Sequence, residues 1–176
     1  MAGDDAVTLT KAAHAIASVV GDVDSGFVFI EQALRHNPNL AAGWYVSGWL
    51  RLFLGEPEVA VEHLAHAMNL SPLHPLIFKM QSAIAYAHFL AGRYDEASVA
   101  AENSLRARPN YLTAVRGAAA SHALAGHLDR ARTLMAHMRQ RAPALHISNL
   151  TELIPFRRAG DFARWAEGLH KAGLPD

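Results

Sequence analysis

The sequence predicts an all-helical solenoid of four helix–turn–helix units with capping helices at the carboxy end, and three combs of residues predict it. Pro38, Pro72, Pro109 and Pro143 stand 34, 37 and 34 residues apart. Gly21, Gly55, Gly92 and Gly126 keep the same spacing, and so do Asp24, Glu58, Asp95 and Asp129. One register shared by three residue types marks an internal repeat, and a period in the thirties marks stacked supersecondary units.

Each comb has a local role. A glycine takes the left-handed conformation that ends a first helix. The acid three residues on lies in the first turn of a second helix, where the macrodipole favours negative charge. The proline then stops that second helix. The first unit, about 6–39, thus opens on a helix over 5–19, closed by Gly21, and ends at Pro38. The second, about 40–73, carries Pro57 at a helix start and the apolar spacing Val59, Ala60, Leu64, Ala67, Met68. Three extra residues around Ser71-Pro72-Leu73-His74-Pro75 lengthen the loop before the third unit, about 77–110. The fourth runs over 111–144. Beyond it two helices are expected as a cap, about 145–154 and 161–172, the second opened by Asp161 as N-cap and closed by Gly173, giving ten helices in one domain over 1–176.

Composition narrows the function. Hydrophobic residues make up 51 % and charged ones 18 % of the 176, which suits one folded domain and not a disordered chain. There is no cysteine, so thiol chemistry and thiolate metal sites are excluded. No apolar run approaches the roughly 18 residues of a membrane helix, and the acidic start Met-Ala-Gly-Asp-Asp lacks the basic region of a signal peptide. A cytoplasmic protein without a membrane segment is expected. G-x-S-x-G, a phosphate loop with its lysine and H-E-x-x-H are all missing, so no enzyme and no cofactor are expected. The eleven histidines include His63 and His66 on one helix face, and His122 and His127 across a helix end. They read as solvated or packing residues, and no metal site is expected.

The combs and their companions resemble the tetratricopeptide repeat (TPR), with its W-x2-L-G-x2-Y…A-x3-F…P signature. In the second unit Trp44, Gly48, Gly55, Ala60, Leu64, Ala67 and Pro72 match. The third matches at Ile84, Ala85, Gly92, Ala97 and Pro109, and the fourth at Ala118, Ala119, Gly126, Ala131, Met135 and Pro143. In the first unit Thr10 stands where Trp is usual and Gly26 where Ala is. A narrower resemblance, in Gly48–Pro57, Asn69–Leu73, His88–Tyr94, Arg108–Tyr111 and Pro155–Pro175, is to the carboxy-terminal repeats of bacterial class III adenylate cyclase-like or winged-helix signalling proteins. It carries no catalytic residue across.

The TPR resemblance implies a right-handed superhelix whose first helices line a concave groove for a peptide or partner domain. It places Tyr45, Trp49, Leu52, Phe53, Ser82, Tyr86, Phe89, Arg116 and Ala120 on that face, with Leu90 and Leu124 beside them. Trp49 and Tyr86 are expected as anchors, with Arg116 selecting an acidic group. Tyr45 and Trp49 stand where a chaperone-tail receptor needs lysine and asparagine, so that ligand is not expected. The charge balance offers an alternative. Residues 1–62 carry eight acids and three bases, and residues 63–176 thirteen bases, mostly arginine, and eight acids, a surface for an acidic partner or nucleic acid. The apolar first helix points to a neighbour at the amino-terminal edge, either a second copy or another domain of the same chain.

Overall fold

The structure, a computed structural model, describes residues 2–176, with side chains from Asp5 onward. Helices pair into four antiparallel units: α1 (Ala2–Ala15) with α2 (Val23–His36), α3 (Ala41–Leu54) with α4 (Pro57–Leu70), α5 (Ile77–Leu90) with α6 (Tyr94–Ala107), and α7 (Leu112–Leu124) with α8 (Leu128–Arg141). A 3-10 helix (Ile147–Glu152) and α9 (Ala159–Lys171) follow, and the described residues contain no strand.

The combs act as their chemistry dictates. Gly21, Gly55, Gly92 and Gly126 sit just past a helix end with φ between 76° and 88°. Asp24, Glu58, Asp95 and Asp129 lie in the first turns of α2, α4, α6 and α8. Small residues set the helix spacing: a Cβ on Gly48 would come within 2.6 Å of Leu64 Cγ, which is how closely α3 and α4 approach. The first helices α1, α3, α5 and α7 touch one another in succession and form the inner layer.

Three local features differ from the sequence expectation. The segment expected as a helix over 145–154 forms only the 3-10 helix Ile147–Glu152. Pro155 keeps Ile154 out of the helical region, and Asn149 and His146 satisfy the short turn's own ends through a reciprocal cap. Asp161 is not the N-cap of α9. That place is taken by Arg158, and Asp161 lies buried in the first turn, 3.5 Å from Arg164. The third difference is in the first unit, where α1 passes into a π-helical turn, Ile16–Val20, before Gly21.

A π turn holds one residue more than the α turn it replaces. Counting back 34 from buried Gly48 and Leu52 lands on His14 and Ser18, yet the fully buried residues there are Ala13 of α1 and Ala17 of the π turn. Residues before the π turn therefore run one step out of the comb's register. Leu9, packed on the core, takes the place of Trp44, and His14 takes that of Trp49. The apparent Thr10-for-Trp mismatch is a matter of register: Thr10 corresponds to Tyr45. Gly26 is required where alanine is usual, because a Cβ there would meet Ala17 Cβ at 2.8 Å and Ala13 O at 3.0 Å.

The tail does not simply extend the stack. It turns back across the inner layer, where α9 packs against α7. The Arg157 backbone N–H donates to Phe53 O at 2.8 Å, its guanidinium reaches Asp24 at 2.6 Å, and Arg164 donates to Leu90 O at 3.1 Å. Trp165, Leu169 and Leu174 are buried. Gly168 makes the contact possible, since a Cβ there would fall 2.9 Å from Ala120 O.

Candidate functional site

The inner layer holds every residue named from the register, but α9 decides which of them a ligand can reach. Tyr86 is 1 % exposed. Its ring lies 5.5 Å from Trp49 and 6.3 Å from Trp165 of α9, and its hydroxyl donates to Thr113 O at 3.2 Å. Burial pushes that hydroxyl above the ordinary tyrosine range, with the neighbouring Arg116 opposing. Ala120 lies under Gly168. Phe89 turns toward Tyr94 of α6, 5.4 Å away, and so packs between helices. Leu52, Ser82 and Leu90 are buried as well. The expectation of Tyr86 as an accessible anchor is thus corrected: the tail's own tryptophan covers that half of the face.

The other half is open. Two cavities lie along it, of about 390 and about 250 Å³. The larger is lined by Thr10, Lys11 and His14 of α1, Tyr45 and Val46 of α3, and Leu76, Lys79 and Met80 around the start of α5. The smaller is lined by Trp49, Phe53, Tyr111, Thr113 and Arg116, and is closed at its far side by Leu153 and Ile154 of the tail. His14, Tyr45 and Lys79 belong to both, so the two form one groove. Tyr45, Trp49, Phe53 and Arg116 are the sequence-named residues that line it; Trp49 contributes an edge and is 6 % exposed.

Lys11, His14 and Lys79 were not among the residues singled out from the register. The comb sets Lys11 in series with Tyr45, Ser82 and Arg116 at 34, 37 and 34, but the π turn shifts that register by one residue, so the match is no signal for Lys11. His14 carries no signal either, because the π turn that swings it toward the groove leaves no mark in the glycine spacing. Partial burial, and then the charge of Lys79, hold the His14 imidazole below its usual pKa. Burial raises the Tyr45 phenol, which stays neutral at physiological pH.

The arginine-rich half shows a different pattern. Arg93 holds Glu58, Arg130 holds Glu102 and Arg157 holds Asp24, each across helices at 2.6–2.7 Å. His63 and His66 both lie edge-on to Trp44, with ring centroids 4.9 and 4.6 Å away. No helix among the described residues is long and apolar enough to cross a membrane.

No family profile and no curated protein matches this sequence. Solved structures do match in shape. PilW, a widely conserved type IV pilus biogenesis factor, superposes with a TM-score of 0.70 at 20 % identity, over 93 % of this chain and 71 % of that one. TTC0263, a thermophilic TPR protein of Thermus thermophilus, gives 0.67 at 15 % identity over 94 % and 99 % of the two chains. YrrB, a TPR protein with an unusual peptide-binding site, gives 0.59 at 16 % identity over 96 % and 84 %. At these identities the likeness establishes the fold, a TPR superhelix, and says nothing of a shared ligand.

Proposed function

We propose that this chain is a non-enzymatic scaffold that holds a segment of a partner protein in the open half of its concave face. The observation that carries the reading is the groove itself, continuous over two cavities and walled by four helices and the tail. It is already formed in the free chain, so a ligand loses little of its binding energy to ordering the receptor. Aromatic edges from Tyr45, Trp49 and Tyr111 supply the residue types that anchor interfaces.

The absence of native cysteine makes the test clean. Peptides would be selected from a random twelve-residue phage library on the full chain. They should slow alkylation of Ala42→Cys in the larger cavity and leave Ala136→Cys, beside Pro143 on the far side, unaffected. Peptides that protect only the Ala136 position, or none selected at all, would overturn the reading.

The sequence likeness to cyclase-like and regulator-type proteins suggests a setting for the scaffold: the interaction part of a cytoplasmic bacterial signalling protein. In that setting the amino-terminal edge meets a second copy or a neighbouring domain of the same chain. Val19, Val20 and Val28, exposed at 83, 74 and 55 %, support the edge contact.

A further inference from the structure

We propose, on the strength of the groove reading above, that the occupant is an acidic segment of a partner protein. One of its carboxylates seats between Lys79, His14 and Arg116, and an adjoining aliphatic side chain fills the cavity walled by Tyr45, Val46 and Met80.

Charge complementarity identifies the occupant. The groove presents Lys11, His14, Lys79 and Arg116, and no Asp or Glu lines either cavity. Among the described residues none of these four forms an ion pair. Several basic groups elsewhere have a carboxylate beside them, Glu56 at Arg51, Glu58 at Arg93, Glu102 at Arg130 and Asp161 at Arg164, whereas Arg106, Arg108, Arg139, Arg141 and Arg158 have none among the described residues. What sets the concave cations apart is that they converge on one groove with no carboxylate among its described lining residues. They are also contributed by three different inner helices and held in fixed positions, which is the arrangement an anion needs and a solvated surface does not.

A second, independent observation points the same way. The Arg116 Nε is enclosed and has no acceptor among the described residues. A buried donor without a partner carries an uncompensated desolvation cost, and Arg116 lines the smaller cavity, where a carboxylate would offer its guanidinium an acceptor. Guanidinium and carboxylate match in a planar fork, which fixes orientation as well as charge. The larger cavity sets the rest of the ligand. Beside its cations it presents an apolar wall of Ala42, Val46, Leu76 and Met80, which suits an aliphatic or aromatic neighbour of the acidic residue.

The geometry also makes binding sensitive to protons. His14 faces Lys11 on its own helix, Tyr45 on α3, Lys79 on α5, Arg116 on α7 and His74 in the loop before α5. The lysines and arginine in that set are positive, and partial burial first, then the charge of Lys79, hold free His14 toward its neutral form. A bound carboxylate reverses the balance and raises the imidazole pKa, so the complex takes up a proton. Affinity then rises as pH falls through the neutral range, while the segment's own carboxylates stay ionised.

The experiment uses the full chain and the library of random twelve-residue peptides, with selection at pH 6.5 and affinities by fluorescence anisotropy. Selected peptides should be enriched in Asp or Glu beside Leu, Ile or Phe and should protect Ala42→Cys from alkylation. Lys79→Glu and Arg116→Glu should weaken them at least about tenfold, the conservative Lys79→Gln and Arg116→Gln less, all with an unchanged helical circular dichroism spectrum. Lowering pH from 7.5 to 6 should tighten binding by about three- to tenfold, and His14→Gln should abolish that dependence. Peptides that protect Ala42→Cys but show no acidic enrichment would overturn the acidic occupant and leave the groove reading standing. Peptides that ignore the cavity, or no selection at all, would remove the groove reading with it. Inorganic phosphate or a single-stranded oligonucleotide displacing the selected peptides at lower concentration than any peptide binds would reassign the cations to a phosphate ligand.

Discussion

At the scale of single residues, the fold rests on positions where a methyl group is too much. Gly26 faces Ala17 and the Ala13 carbonyl at distances no real Cβ tolerates, whereas Gly160, in the first turn of α9, faces open space. Gly26→Ala should therefore cost about 1–3 kcal/mol through overpacking. Gly160→Ala should be neutral or stabilising by up to about 1 kcal/mol. Urea denaturation of the two variants checks both signs, and an equal effect would show that helix propensity, and not packing, governs these sites. The glycine, proline and acidic combs were legible because each acts locally: a positive φ, a missing N–H and a helix dipole need no partner to declare themselves. His14 was illegible for the complementary reason. Its direction depends on one extra residue in the turn before Gly21, upstream of the first comb position, where nothing repeats to expose the insertion.

At the scale of elements, the sequence showed α9 to be a helix but not where it docks. Its apolar stripe of Phe162, Trp165, Leu169 and Ala172 fits equally an outer face of the last unit or the inner layer. The choice is made by two small residues from different helices, Gly168 and Ala120, whose contact only the folded chain reveals. That is why the register assigns Tyr86 to the right face without showing that it is covered, while Tyr45 and Arg116 line the open groove. Gly168→Leu should force α9 off α7. Trp165, now fully buried, should then show red-shifted emission and gain access to an aqueous quencher, with Trp44→Phe removing the exposed background. The stability loss should be about 1–3 kcal/mol or more. Emission that stays blue would mean the helix accommodates leucine by a small shift and is not seated as tightly as the distances imply.

At the scale of the whole molecule, the amino-terminal edge is the least finished surface. Val19 and Val20 stand out from the π turn beside Val28 of α2, and terminal units of repeat arrays ordinarily carry a polar outer face. If the edge meets a second copy, sedimentation of the full chain should show concentration-dependent association that the double substitution Val19→Ser, Val20→Ser abolishes without altering the helical spectrum. Association that persists in the double variant would assign the contact to another surface. A chain that is monomeric at every concentration would leave the edge to a neighbouring domain.

An open repeat array behaves as a spring. Each unit touches only its neighbours, so small rotations add up along the stack, and the ends can fray separately. The tail changes that mechanics. By tying Arg157 to the carbonyl of Phe53 and the carboxylate of Asp24, and by sinking Trp165 against Tyr86, it joins the last residues to the first two units. The spring becomes a closed clasp whose coils cannot stretch independently. Its aperture is thereby set by the chain itself, so the proposed occupant would meet a mouth of fixed width instead of one that yields to whatever is offered.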